Sequence, residues 1–319
     1  MDMLYFIIQQ MMLFSIPLLV VALAGLISES SGVTNIALEG QMIVGAFTGV
    51  IVIQKLQDKM SGNLLLLIGI LAAMLAGVIF TLPLAFASVK MKSNQVISGT
   101  ALNIIAPALT IYIARNVQAT GLQRVAFKNT FRIIRIPLLT DIPFLGRVLF
   151  RNVYITTFLG LIVLFLMVFV LYKTAFGLRL RATGENPHAV DTVGLNVYKY
   201  RYIGALASGA LAGLGGITYI VPITTTFDHT VSGYGFLALA VLIFGQWKPW
   251  RILGAAFFFG FLKSLASSYT AIPFLVNLRL PPEIFKLIPF IATIVVLIFT
   301  SKSSMAPEAV GIPYDKGKR

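Results

Sequence analysis

The chain has 319 residues, 58% of them apolar and only 11% charged, with a mean hydropathy of +0.90. That much apolar surface cannot be hidden in one water-soluble core, so the bilayer must serve as solvent. The net charge of +14 comes from bases spread among loops, which suits lipid headgroups and argues against nucleic acid, and the absence of cysteine excludes disulfides, thiolate metal sites and cysteine nucleophiles.

Lipid requires every spanning backbone to be hydrogen-bonded internally, so the expected class is an all-α polytopic membrane protein. Apolar segments at roughly 4–27, 36–53, 63–86, 96–113, 153–172, 202–222, 234–246, 252–268 and 284–300 predict about nine transmembrane helices. The first is too long, and lacks the basic flank, to be a cleaved signal. Nine crossings place the termini on opposite sides, but the bases divide almost evenly between the two sides and do not orient the chain.

The stretches 41–53 and 234–246 are short, about 20 Å as helix. Each follows a glycine-containing polar segment, 31–40 and 231–235, the second carrying Tyr234. Short or interrupted hydrophobic segments of this kind point to a substrate path. Glu39 sits where a helix restarts, close to the hydrocarbon. It is expected to accept backbone N–H bonds at a helix start, with a direct substrate or proton role as the alternative. Asn35 is a second cap candidate. In the fourth segment Gln95, Ser98 and Asn103 can share one face, which turns toward another helix or a water-filled path. Asn103, midway along, is read as a path residue.

Between the fourth and fifth segments Arg124, Lys128, Arg132 and Arg135 recur at intervals of four, four and three, with Val125, Phe127, Phe131, Ile133 and Ile134 between them. That spacing predicts an amphipathic helix on the membrane surface, ended by Pro137, either anchoring to lipid or receiving an acidic partner. In the sixth segment Ala205, Gly209 and Gly213 at every fourth position signal close helix packing.

The loop at 173–201 holds Gly184, Glu185, Asn186, Pro187, His188, Asp191 and Gly194. Asn186 suits an N-cap, Pro187 the first helical position and Gly194 the residue after the last turn, so a short helix is expected over about 187–193. A charged, Pro- and Gly-bounded loop in so apolar a chain reads as a docking surface. The two histidines, His188 and His229, lie outside any metal-ligand spacing. No nucleophile motif or phosphate-binding loop is present, so no catalytic residue, metal or cofactor is expected in the chain, and any ATP would have to be handled by a partner.

The stretches 29–40, 93–103, 180–187 with 194–197, 233–240 and 306–314 resemble permease subunits of ATP-binding-cassette importers, in the nucleoside-type branch related to ribose and branched-chain amino acid permeases. The resemblance covers nearly the whole chain in order. It implies a single permease domain over 1–319 that encloses half of a translocation path. The implied partners are a second homologous permease, a cytoplasmic ATPase with two nucleotide-binding halves that uses ATP and Mg, and an extracytoplasmic substrate-binding lipoprotein. It also implies orientation in a prokaryotic cell membrane: N-terminus outside, 114–152 outside, a coupling helix in the cytoplasmic loop 173–201, and a cytoplasmic tail at 301–319. The pattern often has Arg at position 30, Gly at 37 and an acid at 95, where this chain has Ser30, Ala37 and Gln95. An ion-coupled transporter using Glu39, a membrane scaffold, and import of a sugar or flavin-like solute are the other readings of the residues.

Overall fold

A computed structural model describes residues 2–60, 62–118, 121, 123–135, 146, 151–269, 281–300 and 305–317. Each of the nine apolar segments falls on a helix: α1 (Asp2–Glu29), α2 (Leu38–Leu56), α3 (Asn63–Val89), α4 (Gln95–Val117), α5 (Ile155–Lys173), α8 (Val197–Ile223), α9 (Tyr234–Phe244), α10 (Pro249–Ser267) and α11 (Pro282–Thr300). Two short helices, α6 (Ala175–Glu185) and α7 (Pro187–Thr192), lie between α5 and α8. Five of the eleven, α1, α3, α4, α5 and α8, are long and apolar enough to cross a bilayer by length and composition; α9 is apolar but shorter. The chain is thus a polytopic helical membrane protein.

The hub is α8, which packs along α1, α2 and α3. Its glycines make this possible. A Cβ on Gly209 would run into the Thr81 hydroxyl and the Gly77 carbonyl of α3, and one on Gly213 into the Ala73 carbonyl. The small-residue repeat is therefore a helix–helix seam, as its spacing predicts, with backbones close enough to exclude any larger side chain. Leucine at Gly209 is expected to cost about 3 kcal/mol by overpacking against backbone that cannot give way, and to diminish the monodisperse protein peak in detergent. Gly254→Ala, at a site with open space around it, should leave the peak unchanged.

By contrast α4 touches only α2 and α3 in any depth and presents much of its length outward, as do α5 and α11. One end of the bundle gathers the last turn of α1, the α3–α4 and α9–α10 turns, α6, α7 and residues 305–317. There the Trp247 indole N–H donates to Glu29 (2.5 Å).

The opposite end carries two short antiparallel pairs, β1 (Val125–Ala126) with β4 (Thr226–Phe227) and β2 (Arg132–Arg135) with β3 (Arg151–Tyr154). This corrects the surface helix expected over 124–135. The chain here alternates, with 124, 126, 128, 130 and 132 exposed and 125, 127 and 131 buried. An interval of four is also two strand repeats, so Arg124, Lys128 and Arg132 fit a period of two equally well. Strand partners far away in sequence decided between the periods. Pro137 lies outside the described residues.

Candidate functional site

The two short apolar segments meet. Residues 30–37 break the chain between α1 and α2, and residues 228–233 precede α9. Glu39, in the first turn of α2, accepts the backbone N–H of Gly233 through Oε1 (2.9 Å) and of Gly235 through Oε2 (2.6 Å). These N–H groups have no partner within α9, because they belong to its start. The carboxylate faces the positive end of that helix dipole as well as sitting at the start of its own. Gly235 is indispensable to the approach: a Cβ there would overlap the backbone of Glu39. The expectation that Glu39 pins a helix start holds, but the helix it pins is α9, 194 residues further on.

Asn35 is fully buried, and both of its polar atoms are engaged. Its Oδ1 accepts from the Ala37 N–H (3.1 Å) and the Gln41 amide (3.2 Å), and its Nδ2 donates to Gln41 (2.9 Å) and Ser208 on α8 (2.8 Å). It fixes the turn into α2 from within, while Ala37 occupies the cap position. On α4, Asn103 accepts the Gly40 N–H (2.8 Å) and donates to the Ile36 carbonyl (2.8 Å), and Gln95 accepts the Thr34 N–H (2.6 Å). Gln95 and Asn103 therefore face the break together. Ser98 does not join them: its hydroxyl lies 3.0 Å from that of Ser93 and 3.1 Å from the Asn94 carbonyl, inside the first turn of α4. The amides of Gln95 and Asn103 both take up backbone groups that the broken helix leaves without helical partners. Tyr234 is buried, its ring 4.1 Å from that of Tyr219 and the Lys263 ammonium 5.4 Å from its centroid.

The second cluster lies at the end that carries α7. The Asn186 side chain accepts the Ala189 N–H (3.0 Å), Pro187 follows at the first helical position, and Gly194 takes a left-handed φ of 80° after the last turn. The short helix is thus built as its sequence predicts. Gly184 lets the end of α6 pack onto the backbone of Ser30. Glu185, His188 and Val193 face outward, Val193 at 72% exposure.

Residues 305–317 strap this loop to the bundle. Ala309 N–H donates to the Gly184 carbonyl (2.9 Å), Gly311 N–H to the Gly32 carbonyl (3.2 Å), and Arg201 to the Ile312 carbonyl (2.8 Å). The Tyr314 ring lies 5.2 Å from His188 and 5.4 Å from Tyr198, while Lys316 pairs with Asp191 (3.6 Å) and Asp315 with Lys92 (2.9 Å). Sequence reasoning gave this strap no role. Residues 306–314 entered only through the family resemblance, and the partners of Gly311, Ile312 and Tyr314 are more than a hundred residues away. One continuous chain of contacts now joins α7 to the break after α1.

At the opposite end Arg124, Lys128, Arg132 and Arg135 are all exposed. Arg124 pairs with Asp228 (2.9 Å) and Lys128 lies 3.9 Å from Asp58. Among the described residues no group of three acidic or histidine side chains could hold a metal.

Residues 7–297 match the family described as branched-chain amino acid transport system / permease component. The chain is 43% identical to the guanosine ABC transporter permease protein NupQ of Bacillus subtilis (strain 168), over 97% of this chain and 96% of the relative. It is 37% identical to the nucleoside ABC transporter permease protein NupC of Lactococcus lactis subsp. cremoris (strain MG1363), over 98% and 97%. A second guanosine ABC transporter permease protein of B. subtilis, NupP, matches at 28% identity over 77% of this chain and 70% of its own. No solved structure matches the chain.

Proposed function

The chain belongs to the family of permease components of branched-chain amino acid transport systems, and on that premise we propose that it is one of two unlike permeases in an ATP-driven importer of nucleosides. Its near full-length relatedness to guanosine and nucleoside permease proteins carries this reading, and the occurrence of two such proteins in one organism supports a paired arrangement. The ATPase, with its ATP and Mg, is a separate subunit that docks on α7, and a binding lipoprotein delivers the solute to the opposite end. The α7 end is then cytoplasmic, the basic strands face outside, and the N-terminus lies outside.

In this arrangement α7 and its flanks receive the ATPase movement through the exposed His188 on the helix, Glu185 before it and Val193 after it. The strap passes that movement to Gly32 and Arg201, and so to the break at 30–37. An ion-coupled mechanism through Glu39 is disfavoured, because both carboxylate oxygens are occupied by backbone N–H groups. Purification of tagged chain from native membranes should bring down an ATPase and a second permease in equal amounts, and the complex in liposomes should take up nucleoside only with ATP. His188→Cys should cross-link to the ATPase in that complex. A chain that purifies alone and transports by itself would overturn the assignment.

A further inference from the structure

The helix α9 spans only 11 residues, about 16 Å, half of a hydrocarbon layer roughly 30 Å thick. Its far end is level with the end of α1, through the Trp247–Glu29 bond, so its start at Gly233 lies midway across. Residues 228–233 descend to that point from the β1–β4 pair at the opposite end, without helical hydrogen bonding. Among them Asp228, Thr230 and Ser232 are exposed, and His229, Ser232 and Gly233 have positive φ. Exposed polar, non-helical chain at this depth cannot border lipid tails, so it borders a protein-enclosed, wet space.

Phe236, one turn into α9, is 49% exposed at the foot of this segment. Phe290 on α11 is 42% exposed, and its ring reaches within 4.0 Å of where a Cβ on Gly233 would stand. Exposed aromatics elsewhere, such as Phe165 and Phe169, lie on the uninterrupted helix α5 among apolar neighbours, where lipid is the natural contact. At the start of α9, by contrast, the exposed rings of Phe236 and Phe290 flank a segment whose exposed residues are polar, Thr230 and Ser232, with the Thr230 hydroxyl oxygen accepting the Ser232 N–H (3.0 Å). Those two surface types match the two halves of a nucleoside, an aromatic base and a polyhydroxyl sugar.

We infer that Phe236, with Phe290, forms the stacking platform on which the nucleobase rests during passage, and that Thr230 and Ser232 face the sugar. This rests on the nucleoside reading above. The side of the groove away from α9 is left for the partner permease to close. Stacking requires a flat π face rather than mere bulk, which separates this role from lipid or packing contact.

The test is nucleoside uptake by the whole complex in liposomes, with assembly checked by co-purification of the ATPase. Phe236→Leu, which keeps apolar bulk, should cut uptake at least about tenfold, whereas Phe236→Trp should stay within about twofold of wild type, as should its assembly. Uptake by the Leu variant equal to wild type overturns the platform. A loss in Trp as large as in Leu overturns it too, because shape rather than the ring would then decide. If the wild-type complex moves no nucleoside but carries another solute, the parent reading fails, and that result is visible before any variant is compared.

Discussion

Uptake through the complex is expected to fall to background in Glu39→Ala, together with a large loss of thermal stability in detergent. The carboxylate accepts the amides of Gly233 and Gly235, and no other described group replaces it. Hydrogen bonds to a charged acceptor contribute about 1.5–3 kcal/mol each, and stranding two buried donors adds desolvation, so a loss of several kcal/mol follows. Glu39→Gln keeps one oxygen as acceptor and should retain one of the two bonds, with intermediate stability and measurable uptake. The glutamine variant also separates mechanisms: a proton-coupling acid would lose all transport as glutamine, even in a stable protein. Measuring unfolding temperature and uptake on the same preparations distinguishes these outcomes.

The second large effect is expected at Tyr314. Its ring is buried, with His188 of α7 on one side and Tyr198 of α8 on the other. Truncation of a buried aromatic to alanine typically costs about 3–5 kcal/mol. Here the loss is local, because the ring closes the strap rather than the central seam. Tyr314→Ala should therefore leave a folded, assembled complex that hydrolyses ATP but takes up nucleoside at least about tenfold more slowly. Tyr314→Phe preserves the ring contacts and should restore uptake. An unchanged ratio of uptake to ATP hydrolysis in the alanine variant would show that the strap transmits nothing.

What could be read from sequence was what depends on neighbours in the chain. The nine apolar segments, the Asn186–Pro187–Gly194 punctuation of α7 and the small-residue face of α8 are all written within a few turns of helix. Glu39 could be placed at a helix start, but its actual partner, α9, is set by tertiary packing, as is the use of Asn103 and Gln95 against the break. The basic run from Arg124 to Arg135 misled for a definable reason: two of its three spacings are intervals of four, shared by strand and helix periods, and its strand partners lie elsewhere in the sequence. Phe236 carried no signal at all. One phenylalanine in a chain with 24 becomes distinctive only when its neighbours prove to be exposed polar residues on a non-helical segment.

The glycine seam between α3 and α8 has a mechanical consequence. Where carbonyls of one helix lie against the α-carbons of another, neither sliding nor rotation is available without collision, so α1, α2, α3 and α8 behave as a single stiff block. A transporter made this way does not open by bending its centre. On the proposed function, opening falls to the contacts of that block with the second permease rather than to its own centre. The glycines thus make this part of the subunit a chassis, and on the proposed function they move the cost of each transport cycle from its interior to the surfaces it shares with other subunits.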